Sequence, residues 1–290
     1  MIATPALPRL LGGPPPAAGA ETLAAHRARF GERPHPQPTA IIDALEKAGL
    51  RGRGGASFPT WRKWHAVADR SGGDAVVLAN GAETEPLSEK DHLLLRTRPH
   101  LVLDGLAIAA DAVGARRAVF YISRAADDVH AVVSAAIAER RAAGESDPPI
   151  SVVRGPQRYV AGEETAAVAV ANGHAARPAL TPPRPFERGV GGRPTLVQNV
   201  DTLAQSALIA RHGADWFRAL GIAEAPGSEL VTTAGSIHER GVFEVACGST
   251  VAQVVSRAGG AVGSVSAVLV GGYFGRWIPA QDAWDLRIGV

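Results

Sequence analysis

Apolar and polar positions follow one another along the middle of the chain in a pattern that predicts alternating strands and helices. Short apolar runs predict strands at 75–79, 117–122 and 150–153. Apolar residues at helical spacing predict helices at 39–48, 99–113 and 125–143. Strands that alternate with helices in this way are typical of a largely parallel sheet covered by helices. The pattern therefore predicts an α/β sandwich domain.

The pattern changes at both ends of this domain. Prolines are frequent before residue 39, so we expect an extended or poorly ordered segment there. Towards the other end, the elements predicted are strands at 229–233 and 241–245, a helix at 250–258 and a strand at 267–270. This order is that of a β-grasp fold. We therefore divide the chain into a proline-rich lead-in at 1–38, an α/β domain at 39–225 and a small β-grasp domain at 226–290.

Composition excludes several classes of protein. The chain has 290 residues, of which 46% are apolar, so we expect a globular protein with a substantial core. The formal net charge is only +2 and the basic residues are scattered, so we expect no nucleic-acid partner. Cys247 is the only cysteine, which excludes a disulfide framework and any iron–sulfur cluster held by cysteines of this chain alone. The histidines show no zinc-site spacing.

Hydropathy bears on location. No apolar run approaches the ~20 residues that a membrane span needs. The first residues lack the charged and apolar regions of a signal peptide. We therefore expect a cytoplasmic protein without a membrane span, which a complex could hold against the inner membrane.

The most informative segment is 49–64, with the sequence GLRGRGGASFPTWRKW. Glycines allow close approach of the backbone to a ligand, exposed N–H groups bind anions, and Arg and Lys suit phosphate. The spacing is neither that of a Rossmann fingerprint nor that of a P-loop. Taken alone, the segment also fits an ordinary surface loop or a basic nucleic-acid contact. The candidate phosphate-binding residues are Gly52, Arg53, Gly54, Gly55 and Lys63.

Three further segments carry polar residues suited to a ligand. The first, 80–86 (NGAETEP), follows a predicted strand, where ligands bind in open α/β sheets. The second is 159–166 (YVAGEETA) and the third is 192–203 (GRPTLVQNVDTL). Each also has an ordinary interpretation: a solvated loop, acidic residues that open a helix, and a loop leading into a helix at 202–212.

Together, the four segments resemble the flavin-carrying (51 kDa-type, F) subunit of respiratory complex I, NADH:quinone oxidoreductase. NAD-reducing hydrogenases and formate dehydrogenases have similar subunits. The resemblance covers about residues 38–290 and implies a domain that binds FMN, followed by a β-grasp domain of the SLBB type. It implies that Phe58, Glu85, Glu164 and Arg184 contact the nicotinamide nucleotide. The FMN-binding residues that it implies are Gly52, Arg53, Gly54, Gly55, Lys63, Asn80, Glu83, Tyr159, Gly162, Glu163, Glu164, Gln198, Asn199 and Thr202.

The chain departs from the family pattern mostly at the nucleotide site. Ala66 and Arg184 stand where the family has aromatic rings, and Thr181 stands where it has a lysine. Arg184 either stacks on adenine itself or favours a phosphorylated nucleotide such as NADPH. Ala82 replaces an aspartate of the flavin site, and Ala161 replaces a cysteine. The residues thus indicate FMN more strongly than they indicate NADH.

The resemblance implies a function. It implies an FMN-dependent oxidoreductase that accepts hydride from NAD(P)H and passes electrons to a partner, such as a ferredoxin, an iron–sulfur subunit or a quinone oxidoreductase subunit. We expect no iron–sulfur cluster within this chain, because the family's cysteine-bearing helical bundle has no counterpart before residue 290. Two alternatives remain: a non-enzymatic FMN-binding remnant or assembly subunit, and a module in which the β-grasp segment binds a small molecule.

Overall fold

A four-stranded, fully parallel sheet forms the centre of the molecule, and the computed structural model describes residues 7–289 around it. The spatial order of the strands is β3-β2-β1-β4. All three ladders are parallel, as the alternation of apolar runs and helices predicts. The strands are β1 (Ala75–Gly81), β2 (Ala115–Ser123), β3 (Ile150–Gly155) and β4 (Thr195–Asn199).

The strand order reverses between β1 and β4. The chain moves outward from β1 to β2 and β3, and then returns to pair β4 with the other side of β1. Asn80 and Asn199 are register partners at the carboxyl ends of these two strands. In open α/β sheets, ligands bind outside the carboxyl ends of the strands at such a reversal. The topology therefore marks the edge beside Asn80 and Asn199 as the place for a ligand.

Helices cover both faces of the sheet. Val77 and Ala79 of β1 belong to a large core cluster, whereas Val76 and Leu78 belong to a second cluster on the opposite face. Burial on both faces explains why the strands read as continuous apolar runs. The helices are α1 (Leu23–Phe30), α2 (Pro38–Ala48), α3 (Thr60–Ser71), α4 (Lys90–Thr97), α5 (Pro99–Val113), α6 (Asp127–Ala142), α7 (Glu164–Ala171) and α8 (Val200–Arg218).

Helices α5 and α8 pack with their backbones in close contact. A Cβ on Gly105 of α5 would lie 1.9 Å from the carbonyl oxygen of Leu203, so only glycine fits there. Helix α8 follows β4 directly, and Asn199 is its N-cap residue. The packing of α8 against α5 therefore holds the N-terminus of α8 at the carboxyl edge of the sheet.

The proline-rich lead-in is ordered where the structure describes it. Leu10 is fully buried, and the buried Arg98 donates hydrogen bonds to the carbonyl oxygens of Leu11 at 2.9 Å and Gly12 at 2.7 Å. Helix α1 is capped by the hydroxyl of Thr22. The expectation of an extended or poorly ordered segment is therefore wrong for residues 7–37, because these long-range contacts do not show in local composition. Residues 1–6 lie outside the described part.

The last part of the chain carries β5 (Ser228–Thr233), β6 (Gly241–Ala246), α9 (Val251–Arg257), β7 (Ala267–Val270), β8 (Arg276–Pro279) and α10 (Ala280–Ala283). Its strands form two separate antiparallel pairs, β5-β6 and β7-β8. A β-grasp fold needs these strands in one sheet, so that assignment and the boundary at 225/226 stay predictions. No helix within residues 7–289 is long and apolar enough to cross a membrane.

Candidate functional site

The carboxyl ends of β1 and β4 open into a cleft with two lobes. The basic lobe has a volume of about 460 Å³, and its charged lining residues are Arg62, Lys63, Glu163, Glu164 and Arg184. The acidic lobe has a volume of about 550 Å³, and its charged lining residues are Arg53, Glu83, Glu85, Lys90 and Asp91. Gly54, Asn80, Gly162 and Asn199 line both lobes. The lobes are therefore two parts of one cleft at the strand reversal.

The sequence-predicted site residues converge on this cleft. Gly52, Phe58, Lys63, Glu163, Glu164, Arg184 and Gln198 line the basic lobe, and Arg53, Gly55, Glu83, Glu85 and Tyr159 line the acidic lobe. Thr202 is fully buried behind the wall, where its hydroxyl accepts a hydrogen bond from the backbone N–H of Arg53 at 2.8 Å. Ala66 also lines the basic lobe, whereas Thr181 lines neither. The structure thus brings together segments that lie far apart in the sequence.

The glycine-rich loop presents unpaired backbone donors. The N–H of Gly52 donates to the carbonyl oxygen of Phe58 at 2.9 Å, and the N–H of Arg53 donates to the hydroxyl of Thr202. Within residues 7–289, the N–H groups of Gly54, Gly55 and Ala56 make no hydrogen bond of good geometry. Gly55 has a φ of 105°, which favours glycine. Successive free N–H groups in such a loop form an anion-binding concavity.

The Arg53 side chain holds the loop in place. Its guanidinium donates to the carbonyl oxygen of Ser228 at 3.1 Å and to Sγ of Cys247 at 3.2 Å, and lies 3.8 Å from the Glu229 carboxylate. It therefore ties the loop to β5 and to the residue after β6, while Arg53 still lines the acidic lobe, and its contact with a phosphate stays a prediction. Burial raises the pKa of the Cys247 thiol to about 11, so this cysteine is neutral at pH 7.

Lys63 supplies charge to the basic lobe. Its ammonium donates to the Glu164 carboxylate at 2.9 Å and to the carbonyl oxygen of Val197 at 3.2 Å. The side chain keeps 28% of its surface exposed. An ammonium group has three donors, and these two bonds leave one for a ligand.

The two asparagines at the sheet edge pin the walls of the cleft. The Asn80 amide donates to the carbonyl oxygen of Gly162 at 2.8 Å. The Asn199 amide donates to Asp91 at 2.7 Å, while its oxygen accepts from the backbone N–H of Thr202 at 3.3 Å. Asn80 thus joins the end of β1 to the turn that ends at Gly162, and Asn199 joins the end of β4 to the first turn of α4. The capping interpretation of Asn199 is correct, and it does not remove the residue from the cleft.

The glutamates of the cleft differ in how they are held. Glu163 caps α7 by accepting from the backbone N–H groups of Thr165 at 2.9 Å and Ala166 at 3.1 Å. Glu83 accepts from the backbone N–H of His92 at 2.8 Å. These two carboxylates are therefore used by the protein itself. Glu164, in contrast, is 31% exposed beside Lys63 and faces no other cation within 4 Å in the described residues.

The loop between β7 and β8 reaches the acidic lobe. Glu85 accepts a hydrogen bond from the backbone N–H of Tyr273. The Tyr159 ring lies 5.7 Å from the Tyr273 ring and 5.1 Å from the Phe274 ring. Gly271 and Phe274 line the lobe together with Tyr159. The last part of the chain therefore forms part of the cleft, which the sequence motifs do not show.

Two further groups of lining residues escaped sequence reasoning. Phe186 lines the basic lobe and packs against the core, two residues after Arg184. Lys90 and Asp91 form an ion pair of 2.7 Å in the wall of the acidic lobe. Behind them, burial raises the pKa of Asp201 to about 6, although Lys90 and Arg53 oppose the shift. The sequence contains one signal for Phe186: it is an aromatic residue only two positions after Arg184, a predicted ligand contact.

Comparison with known proteins identifies the family of the chain that forms this cleft. The model of the Nuo51 FMN-binding domain matches residues 45–207, more than half of the chain and all four segments. The chain belongs to this family. The resemblance inferred from the motifs is therefore confirmed.

The curated relatives that the chain resembles are longer proteins. It is 35% identical over 246 residues to an NADH-quinone oxidoreductase subunit of Aquifex aeolicus, covering 81% of this chain and 58% of the relative. It is 33% identical over 233 residues to the NAD-reducing hydrogenase HoxS subunit alpha of Cupriavidus necator, covering 77% and 39%. The chain thus spans about half the length of the curated relatives it matches.

A solved structure carries the same fold. A chain of the crystal structure of NAD⁺-reducing [NiFe]-hydrogenase in the air-oxidized state superposes with a TM-score of 0.79 at 33% identity. The superposition covers 88% of this chain and 45% of the hydrogenase chain. The likeness extends beyond residues 45–207, so it includes elements outside the family match.

Proposed function

We propose that the chain binds FMN in this cleft, accepts hydride from a nicotinamide dinucleotide and passes electrons to a partner protein. The observation that carries the proposal is the two-lobed cleft at the strand reversal, which is lined by the glycine-rich loop with its free N–H groups and by Lys63. The family match over residues 45–207 supports it.

The residues present fit FMN. Gly54, Gly55 and Ala56 offer N–H donors to a phosphate, and Lys63 offers a positive charge with a free donor. Lobes of about 460 and 550 Å³ fall within the usual range for ligand pockets. When bound, FMN supplies a ring that accepts hydride and releases single electrons.

The side chains of the chain bind and orient the two ligands. We assign Glu85 and Glu164 to the nicotinamide end and Phe58 to the adenine end of the dinucleotide. Glu85 is fixed by the backbone of Tyr273, and Glu164 is fixed by Lys63, so each carboxylate is held before a ligand arrives. The rings of Tyr159 and Phe274 line the acidic lobe and lie 5.1 Å apart. No side chain is required as a nucleophile.

One observation favours the enzyme over a non-enzymatic remnant. The loss of two aromatic contacts at Ala66 and Arg184 pointed to the remnant. Phe186 supplies an aromatic ring to the same lobe that Phe58 lines. The lobe therefore keeps two rings for a purine, and aromatic stacking on a base contributes about 1–3 kcal/mol per contact.

The electron acceptor is proposed by chemical class. The relatives are named as subunits of a quinone oxidoreductase and of a hydrogenase. We propose an iron–sulfur protein, a ferredoxin or an iron–sulfur subunit of such a complex, as the acceptor for this chain.

The flavin assignment has a direct test. Protein purified with its cofactor, or reconstituted, is treated with acid and the released flavin is separated by chromatography; we expect FMN. Lys63→Ala should weaken FMN binding at least about tenfold, since it removes a charge-assisted bond. Lys47→Ala, an exposed lysine on α2, is the matched control and should bind FMN normally. Recovery of FAD, or no flavin after reconstitution, would overturn the proposal.

Electron transfer is tested separately on the FMN-loaded protein. Anaerobic titration with NADH and NADPH should bleach the flavin absorbance. Subsequent addition of an oxidised ferredoxin should restore it. A flavin that neither nucleotide reduces would support the non-enzymatic alternative instead.

A further inference from the structure

The basic lobe carries more positive charge than its own acidic residues neutralise. Of its three cations, Lys63 is paired with Glu164, and the remaining carboxylate, Glu163, caps α7. Arg62 and Arg184 have exposed side chains, and neither forms an ion pair within residues 7–289. Two arginines thus line the lobe with their guanidinium groups free of carboxylates.

The local structure favours an anion beside these arginines. Arg62 lies in the first turn of α3, which carries no acidic residue, so the positive end of the helix dipole adds to its charge. Arg184 lies in a turn whose backbone is fixed, since its N–H donates to the Glu187 carboxylate and its carbonyl oxygen accepts from the N–H of Glu187, both at 2.8 Å. A guanidinium offers a forked pair of donors that matches phosphate.

Aromatic rings line the same lobe. Phe58 and Phe186 both belong to its wall, and Phe186 is packed against the core. These rings suit the flat face of a purine. Because Phe186 supplies a second ring, Arg184 is not required to stack on adenine. The lobe therefore combines surfaces for adenine with two unpaired arginines for an anion near it.

We propose that the basic lobe binds the 2′-phosphoadenosine end of NADP(H), with Arg62 and Arg184 contacting the 2′-phosphate, so that the chain prefers NADPH to NADH. This inference rests on the proposed function, because it specifies the dinucleotide of that site. In dinucleotide sites of the Rossmann type, an arginine accommodates the 2′-phosphate of NADP, whereas a carboxylate binds the ribose 2′-hydroxyl of NAD; the same guanidinium–phosphate chemistry is available in this lobe.

The test uses two flavin-free probes, adenosine 2′,5′-bisphosphate and 5′-AMP, titrated into the purified protein by isothermal calorimetry at low salt. We expect the bisphosphate to bind at least about tenfold more tightly than 5′-AMP. Arg62→Ala and Arg184→Ala should each remove most of that preference and leave the 5′-AMP affinity nearly unchanged. Arg188→Ala, an exposed arginine of the same segment outside the lobe, is the matched control and should keep the preference.

The outcomes separate this inference from the flavin assignment. Equal affinities for the two probes, no binding of either, or a preference that survives both arginine variants would overturn it. Flavin content is measured on the same samples. Protein that binds FMN but fails to discriminate between the probes refutes only the 2′-phosphate site. Protein that discriminates between the probes but takes up no FMN refutes only the flavin assignment.

Discussion

At Gly162, one added methyl group tests directly whether two walls of the cleft are closely packed against each other. It ends a 3₁₀ turn at Tyr159–Gly162, lines both lobes and accepts the Asn80 amide on its carbonyl oxygen. A Cβ on Gly162 would lie 2.5 Å from the Thr84 hydroxyl oxygen and 3.3 Å from the Thr84 methyl carbon. Gly162→Ala therefore forces apart two walls of the cleft.

The expected magnitude follows from the packing. Adding atoms to a filled site costs about 1–3 kcal/mol, and weakening the bond to Asn80 costs about 1 kcal/mol more. We expect Gly162→Ala to lower the free energy of unfolding by about 2–4 kcal/mol. Gly52→Ala is the matched control, because its Cβ would lie 3.5 Å from the Phe58 carbonyl oxygen, an ordinary contact. It should be neutral or stabilise the protein by less than about 1 kcal/mol.

A second change isolates the cause. Thr84→Ala removes both close atoms and leaves only its Cβ, at 3.5 Å from the added methyl group. Gly162→Ala with Thr84→Ala should therefore recover most of the stability and the FMN affinity that Gly162→Ala alone loses. Urea unfolding and FMN titration of the variants should give a coupling energy of at least about 1 kcal/mol. A double variant no better than Gly162→Ala, or equal effects of Gly162→Ala and Gly52→Ala, would refute the reasoning.

Gly54→Val should abolish FMN binding while circular dichroism shows a retained fold, because its Cβ would lie 3.3 Å from the Cβ of Asn199 in the wall of the cleft; normal binding would contradict this. Burial raises the pKa of Asp201 to about 6, so folding favours its proton and stability falls as pH rises from about 4 to 6. Relative to Asp201→Asn, the parent should lose about 2–3 kcal/mol across that window in urea unfolding, and a constant difference would exclude the shift. Glu21 is opposite in sign: burial would raise its pKa, but the nearby His26, 3.5 Å away, and hydrogen bonds from Arg29 outweigh burial and lower it to about 2. Relative to Glu21→Gln, the parent should lose stability as pH falls from about 4.5 towards 2, which thermal melts would show.

Local signals predict some elements of the fold well. Helix α5 runs from Pro99 to Val113, as predicted, because proline at the first position and Gly114 after the last are strong boundary signals. The sequence pattern predicts no strand at 195–199, where β4 lies, and a loop leading into a helix is only the ordinary alternative there. Strand β4 has only five residues and ends in Gln198 and Asn199, so its strand conformation depends on pairing with β1, which local composition does not encode.

Motif spacing predicts the site better than it predicts the use of each side chain. Three of the four segments converge because each includes or follows the carboxyl end of a parallel strand, and these ends share one edge of the sheet. The glycine-rich loop lies between α2 and α3 and is held at that edge by the hydrogen bond from the Arg53 N–H to the Thr202 hydroxyl. The sequence does not show that the Arg53 guanidinium donates hydrogen bonds to Ser228 and Cys247, because those partners lie in a different part of the chain. The contact of Glu85 with Tyr273 escaped prediction for the same reason.

The pairing of β1 with β4 has a consequence for the order of folding. Val76 pairs with β2 on one side and with Thr195 of β4 on the other. Its partner in β4 lies much farther along the chain than its partner in β2. Closing the longer stretch of chain costs more entropy, so contacts of large sequence separation form slowly. The edge beside Asn80 and Asn199 is then completed only once the strand that returns from residue 195 has docked. A cofactor that binds there would bind only to molecules that have finished folding. The rate of its uptake during refolding would therefore report the rate of the last folding step rather than that of the first.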